Sequence, residues 1–189
     1  MTSPRPRTTE PHIPLRTLTT PRLLLRPLAA TDLPDVHRVI GSDPEVTWDG
    51  RARSLEESRA MLEAKMHEAE RYGFGLFAVV DRASGAFLGW AGLQHLEDGD
   101  EVEVAYYLGR QAWGGGRATE AGREALRYGF AELGLDRIVA VVRPENAASQ
   151  RVLGKLGLTF ERTARHYGTE VQRWLVTREE WVARSGPDR

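Results

Sequence analysis

The chain has 189 residues with 26 Lys+Arg and 27 Asp+Glu, a formal net charge of -1, and no cysteine. That length suits one domain with a sizeable core. The charge balance argues against a general nucleic-acid binder, and the lack of thiols excludes a disulfide framework, a thiolate metal site and a cysteine nucleophile.

Met1 to about Pro14 is rich in Pro and Arg and has no apolar core of a secretory signal, so it reads as a tail. Arg22–Pro27 reads as a first strand, stopped by Pro27. Thr31-Asp32 opens a helix carrying Leu33, Val36, His37 and Ile40, closed by Gly41. Asp43–Arg53 is a loop that holds Trp48. Ser54 and Glu57 form a capping box for a helix reaching Gly73. Phe74–Asp81, Phe87–Leu96 and Glu101–Leu108, joined by short polar turns, predict an antiparallel meander. A Gly-rich loop, Trp113-Gly114-Gly115-Gly116, then enters a helix over Ala118–Leu133. Arg137–Val142 is apolar throughout, the pattern of a strand covered on both faces. Ala147–Leu156 is a helix with Gly157 past its end, Thr159–Tyr167 and Val171–Thr177 form a hairpin around Gly168-Thr169, and Arg178–Ala183 gives a last helical turn. The order β-α-α-β-β-β-α-β-α-β-β, with one crossover through the Gly-rich loop, predicts an α+β fold around a single mixed sheet. One domain is expected over residues 15–184, between tails 1–14 and 185–189. No apolar run reaches the ~20 residues that cross a bilayer, and a cytoplasmic protein is expected.

Glycines entering a helix expose backbone N–H groups at its positive end, which makes a phosphate cradle. A P-loop needs Gly-Lys-Ser/Thr, but Gly116 is followed by Arg117-Ala118. A dinucleotide fold needs a third glycine where Thr119 stands, and an acid where the next strand ends in Val142-Arg143-Pro144. The bland alternative is a flexible Gly-rich loop.

At Trp113, Gly116 and Ala118 the sequence resembles the coenzyme A signature Arg/Gln-x-x-Gly-x-Gly/Ala of the GNAT superfamily of N-acetyltransferases, with Trp113 departing from the first position. Val102–Tyr106, Ala118–Ala121, Asn146–Leu153 and Lys155–Gly157 resemble the branch of ribosomal-protein N-terminal acetyltransferases. The resemblance implies a mostly antiparallel central sheet flanked by helices, whose fourth and fifth strands, here Glu101–Leu108 and Arg137–Val142, splay apart. It implies acetyl-CoA as co-substrate and a primary amine as acceptor, either a protein N-terminus or a small molecule, with no metal and with a homodimer compatible. Pantetheine would pair with backbone at Tyr106 and Leu108. The pyrophosphate would rest on the amides of Gly114, Gly115, Gly116, Arg117, Ala118 and Thr119, beside Trp113. The family carries a bulge in the fourth strand, where an N–H near Val104 to Tyr106 would meet the carbonyl oxygen.

A lysine-like amine has an unperturbed pKa near ~10, so it must lose a proton before it attacks. The resemblance assigns that proton to Glu103; the alternative is an outward carboxylate on a strand. Many family members protonate the thiolate with a Tyr seven residues after the Asn, but that position is Leu153 here. Ser149 is the replacement, or else a first-turn helix residue bonding nearby backbone. Asn146 bonds the pantetheine amide, caps its helix, or does both. Trp48 and His95 are candidates for the acceptor pocket; packing roles are open to each. The five histidines show no ligand spacing on one helix. The rival function is a non-catalytic acyl-CoA-binding or interaction module.

Overall fold

The computed structural model describes residues 15–185. The expected tails 1–14 and 185–189, and with them His12, lie outside that range, except that Ser185 ends the last helix. Eight strands form one sheet in the order β1-β2-β3-β4-β5-β6-β8-β7. They are β1 (Leu18–Thr19), β2 (Leu23–Pro27), β3 (Leu76–Asp81), β4 (Phe87–His95), β5 (Val102–Leu108), β6 (Arg137–Val142), β7 (Thr159–His166) and β8 (Thr169–Thr177). The short β1 escaped the sequence reading because two residues carry no periodicity.

The helices are α1 (Leu33–Val36), α2 (Leu55–Tyr72), α3 (Arg117–Arg127), α4 (Ala147–Leu156) and α5 (Arg178–Ser185). The helix expected from Thr31 is a 3-10 turn over Ala30–Asp32, then α1, then a π-turn over His37–Gly41. The long helix expected to Leu133 also changes to a π-turn over Tyr128–Glu132. The capping box is present: Glu57 N–H donates to Ser54 Oγ at 3.1 Å and Ser54 N–H to Glu57 Oε2 at 2.7 Å.

Alternating side chains give the sheet two apolar faces. On one, α3 buries Ala121, Ala125 and Leu126 against Phe77, Leu93, Val104 and Ile138, with Leu153 and Leu156 of α4 alongside. On the other, Val36, Ile40 and Leu62 cover Leu76, Trp90 and Ala105. All neighbours in the sheet are antiparallel except β5 and β6. That parallel pair meets at one position only, Glu103 opposite Val139. Beyond it the two strands separate toward their C-terminal ends, which is the expected splay. The β4–β5 register runs unbroken from Gly89–Leu108 to His95–Val102, so β5 has no bulge against β4. Separation from β6, rather than an extra residue, frees the β5 backbone here.

Candidate active site

The opened gap is a cleft of about 700 Å³ between β5, β6, the Gly-rich loop and α4. The loop begins where Trp113 Nε1 donates to Leu108 O at 2.6 Å. Gly114 and Gly116 sit at φ 74 and 76, the left-handed region that side chains disfavour. A Cβ at Gly114 would meet nothing within 4 Å, so conformation rather than space selects glycine there. Gly116 is the residue before α3 and brings no capping side chain. Among the described residues, no loop carbonyl or side chain accepts from the amides of Gly114 to Thr119. Gly114, Gly116, Arg117, Ala118 and Thr119 line the cleft, but Gly115 does not. The carbonyl of Gly115 accepts from Arg22 Nη1 at 2.8 Å. Arg22 also binds Glu120 Oε2 at 2.6 Å, offsetting an acid in the first turn of α3. The Arg117 side chain is paired with Asp81 at 3.1 Å, which leaves its amide as its contribution to the loop.

Strand register fixes which backbone groups face the gap. Leu96 N–H bonds Glu101 O, and Gly109 N–H bonds Leu88 O. Residues 101, 103, 105, 107 and 109 therefore direct their backbone groups to β4, and the even-numbered residues direct theirs to the β6 side. Tyr106 and Leu108 lie past the single contact with β6, so their backbone groups face the cleft. The Leu108 carbonyl is already taken by the Trp113 indole.

Side-chain parity divides the chemistry between the faces. Glu103 shares the α1–α2 face with Ala105 and Tyr107, and it is only 3% exposed. Its Oε1 accepts from Tyr167 Oη at 2.5 Å and from Gln94 Nε2 at 2.7 Å. Among the described residues Oε2 accepts nothing. Burial pushes the carboxyl above its ordinary range, against the two donors that pull it down. The outward-facing carboxylate that the strand pattern also allowed is not what the fold contains.

Tyr167 holds an unusual position. The β7–β8 hairpin pairs His166 with Thr169, so its turn is Tyr167-Gly168, with φ 50 and 74. Positive φ at both positions is what a tight primed turn needs, though a tyrosine there is strained. Glu97, in the β4–β5 turn, is strained too, with φ 55. The two hold each other: Tyr167 N–H donates to Glu97 Oε1 at 2.6 Å, and His166 Nδ1 bonds Glu97 Oε2 at 2.8 Å. The ring of Tyr167 meets Trp48 edge-on at 5.3 Å between centroids.

Thr47, Trp48, Tyr107 and Tyr167 line both the cleft and a second cavity of about 690 Å³ on the α1–α2 face. His95 lines only this second cavity, with Gln94, Trp90 and Tyr72. Its ring packs on Tyr72 at 4.2 Å and on Phe74 at 5.1 Å.

On the opposite face, Asn146 Oδ1 accepts from Ser149 N–H at 3.0 Å, so Asn146 caps α4 while lining the cleft. Leu153 is buried in the core. A phenol nevertheless reaches this end of the cleft from β5: Tyr106 Oη lies 2.8 Å from Ser149 Oγ. Burial pushes that phenol up to about 12, against the Ser149 hydrogen bond that lowers it, so it stays protonated. Sequence reasoning used only the backbone of Tyr106. The strand's alternation could have placed its ring on the α4 face, but its partner lies on another element. Arg22, Gln94 and Tyr167 were missed for the same reason. Among the described residues no cluster of three or more His, Cys, Asp or Glu could hold a metal, and no helix is long and apolar enough to cross a membrane.

Residues 22–159 match the model of the family described as acetyltransferase (GNAT) domain. The "Uncharacterized N-acetyltransferase p20" of Bacillus licheniformis is 32% identical over 157 residues, covering 81% of this chain and 88% of that protein. The crystal structure of an acetyltransferase from Agrobacterium tumefaciens superposes with a TM-score of 0.77 at 26% identity, covering 86% of this chain and 94% of the other. The ribosomal-protein-S5-alanine acetyltransferase of Vibrio fischeri shares the fold, with a TM-score of 0.71 at 19% identity over 88% of this chain and 98% of that one.

Proposed function

We propose that this chain, which belongs to the GNAT acetyltransferase family and is an N-acetyltransferase, uses acetyl-CoA and passes the acetyl group directly to a primary amine. One observation carries the reading. The gap in the sheet opens a cleft with unpartnered helix-entry amides, and buried Glu103 lines that cleft beside Trp48, Tyr107 and Tyr167, which also line a second cavity.

The donor's pyrophosphate fits the loop: the amides of Gly114 and of Gly116 to Thr119 offer N–H groups at the positive end of α3. Gly115 braces that loop through Arg22 and lines no part of the cleft. Acetyl-CoA supplies the acetyl group as a thioester. The amine enters from the second cavity, where Trp48 and His95 stand. Glu103 removes its proton through Oε2, and the elevated affinity of that carboxyl for protons suits a base working near neutrality. The neutral amine nitrogen bonds to the carbonyl carbon, the carbon–sulfur bond breaks, and the extra proton left on the new amide nitrogen passes to the departing thiolate, which leaves as the thiol. The Tyr106 N–H, facing the gap, stabilises the carbonyl oxygen as it gains charge. Tyr106 Oη donates to Ser149 Oγ, which frees the serine proton to hydrogen-bond the departing sulfur. The Tyr106–Ser149 pair thus takes the place of the phenol that Leu153 lacks.

The runs Val102–Tyr106, Ala118–Ala121 and Asn146–Gly157, which resemble the ribosomal-protein branch, favour the α-amine of a polypeptide over a small-molecule amine. A cysteine-free chain suits a reducing cytoplasm. The test is thiol release from acetyl-CoA with a panel of amines, paired with calorimetry of CoA. Turnover that falls in Glu103→Gln while CoA affinity holds supports the reading. CoA binding with no turnover on any amine in the panel would count against it.

A further inference from the structure

Among the described residues, two that are not glycine hold a left-handed backbone, Glu97 at φ 55 and Tyr167 at φ 50, and they are bonded to each other. Such strain persists only where surrounding contacts over-determine it. Glu97 lies in the β4–β5 turn and Tyr167 in the β7–β8 turn, so they come from opposite sides of the gap between β5 and β6. Both Glu97 oxygens are engaged, Oε1 by the Tyr167 amide and Oε2 by His166 Nδ1. The Glu97 amide in turn donates to Tyr167 Oη at 3.4 Å, while that phenol gives its single proton to Glu103. β7 is exposed along most of its length, so core packing does not fix this turn.

Resting on the acetyl-transfer reading, we propose that Glu97 is a positioning residue for the base: its carboxylate clamps the β7–β8 turn, so that the Tyr167 phenol stays on Glu103 Oε1 and Oε2 is left to the amine. Glu97 acts on Glu103 through Tyr167. The His166 bond and the Tyr167 amide hold the Glu97 carboxyl below its ordinary range, so the clamp stays ionised. Burial and the charge on Glu103 push the phenol up, so it remains the donor in their bond. The other titratable groups bearing on Glu103 are Tyr107 of its own strand, Lys65 of α2 and His166 of β7, and β4 contributes the neutral Gln94. Glu101, at the end of the β4–β5 turn, is held by Arg173 at 2.6 Å and by Arg137 at 3.3 Å. That turn therefore stays tied to β6 and β8 when Glu97 is replaced, and what goes is the aim of the phenol. The sign of the effect is distinctive. A phenol that leaves Glu103 withdraws a donor that lowers its proton affinity, which moves the acidic limb of the rate profile to higher pH. Loss of a nearby negative charge alone would move that limb to lower pH.

The experiment records kcat against pH for the full chain and for Glu97→Gly, which removes the carboxylate, keeps the amide and relieves the strain at φ 55. The acidic limb is expected at higher pH, with kcat about tenfold lower on that limb, the alkaline plateau within about twofold and CoA affinity unchanged by calorimetry. Added to Tyr167→Phe, Glu97→Gly should leave the limb where the single tyrosine variant puts it. A limb that stays in place or moves to lower pH overturns the proposal. A full shift that persists in Tyr167→Phe overturns it too, because the effect would then run through the His166 charge. Glu97→Gln keeps the test valid where Glu97→Gly fails to fold: one oxygen remains for the Tyr167 amide, and the limb moves the same way by less. Titration of the Glu103 carboxyl carbon by NMR, identified by its loss in Glu103→Gln, separates the two readings. A titration raised in Glu97→Gly, without turnover on any amine, upholds the positioning and removes the acetyl-transfer assignment. Turnover with that titration unmoved overturns the positioning and leaves the acetyl-transfer reading standing.

Discussion

The two faces of the opened sheet are assembled differently. On the α3–α4 face, the cradle, Tyr106, Asn146 and Ser149 come from one continuous stretch that runs from β5 through α3 and β6 into α4. On the α1–α2 face, Trp48 arrives from an irregular loop, Gln94 and His95 from the end of β4, Glu103 from β5 and Tyr167 from a hairpin turn. On the function proposed above, the first face has a task common to anything that must hold a pyrophosphate, and the second has to fit one acceptor. Local backbone geometry suffices for the first, whereas the second needs side chains gathered from across the chain, with strained turns at Glu97 and Tyr167 fixing where they meet.

Variants can break this division. The largest effect is expected from Glu103→Gln: kcat falls by about 10²–10⁴-fold, the usual range for a general base, with CoA affinity unchanged by calorimetry. The same variant probes the buried charge. A carboxyl whose folded pKa is raised disfavours the folded state once it ionises, so Glu103→Gln should gain thermal stability at alkaline pH and lose that advantage as pH falls below the ordinary carboxylate range. Next comes Gly116→Val. Forcing a β-branched residue to φ 76 carries about 1–3 kcal/mol of strain, so CoA binding should weaken about 10- to 100-fold while the acceptor cavity is untouched. Unchanged affinity in a folded Gly116→Val protein would remove the cradle from the account.

Tyr106→Phe deletes one hydrogen bond to Ser149, and kcat should drop by about 3- to 10-fold with little change in KM. A wild-type rate would leave Ser149 acting alone. Tyr167→Phe removes a donor that lowers the Glu103 pKa, so the acidic limb of the rate profile should move to higher pH while the alkaline plateau changes less. A purely structural role would scale the whole profile down instead. The smallest effect belongs to Ser54→Ala, at a residue that lines neither cavity: about 1 kcal/mol of lost capping and a Tm lower by about 2–4 °C, with kcat intact.

Elements with strong local signals were legible in advance. The capping box at Ser54 and Glu57, the meander, the twin-buried β6 and the helix after Asn146 all appear where hydrophobic period and capping chemistry put them. The π-turns at His37–Gly41 and Tyr128–Glu132 did not, because a π-turn keeps nearly the same apolar spacing as a helix. Among site residues, Glu103 and Ser149 could be picked out by position in a motif. Their partners could not, since nothing in the neighbourhood of Tyr167 or Gln94 along the chain refers to residue 103.

The amino-acid sequence alone settled the order of strands and helices, the glycine-rich entry to α3 and the family to which these features point. Such features depend on contacts between near neighbours, whose physics a linear string records. Tertiary structure decided that β5 and β6 touch at one residue pair, that a phenol from β5 meets Ser149, and that a buried carboxylate held by Gln94 and Tyr167 lines the opened cleft. Those outcomes depend on distances between residues far apart in the chain, and only the packed sheet with its two covered faces sets them.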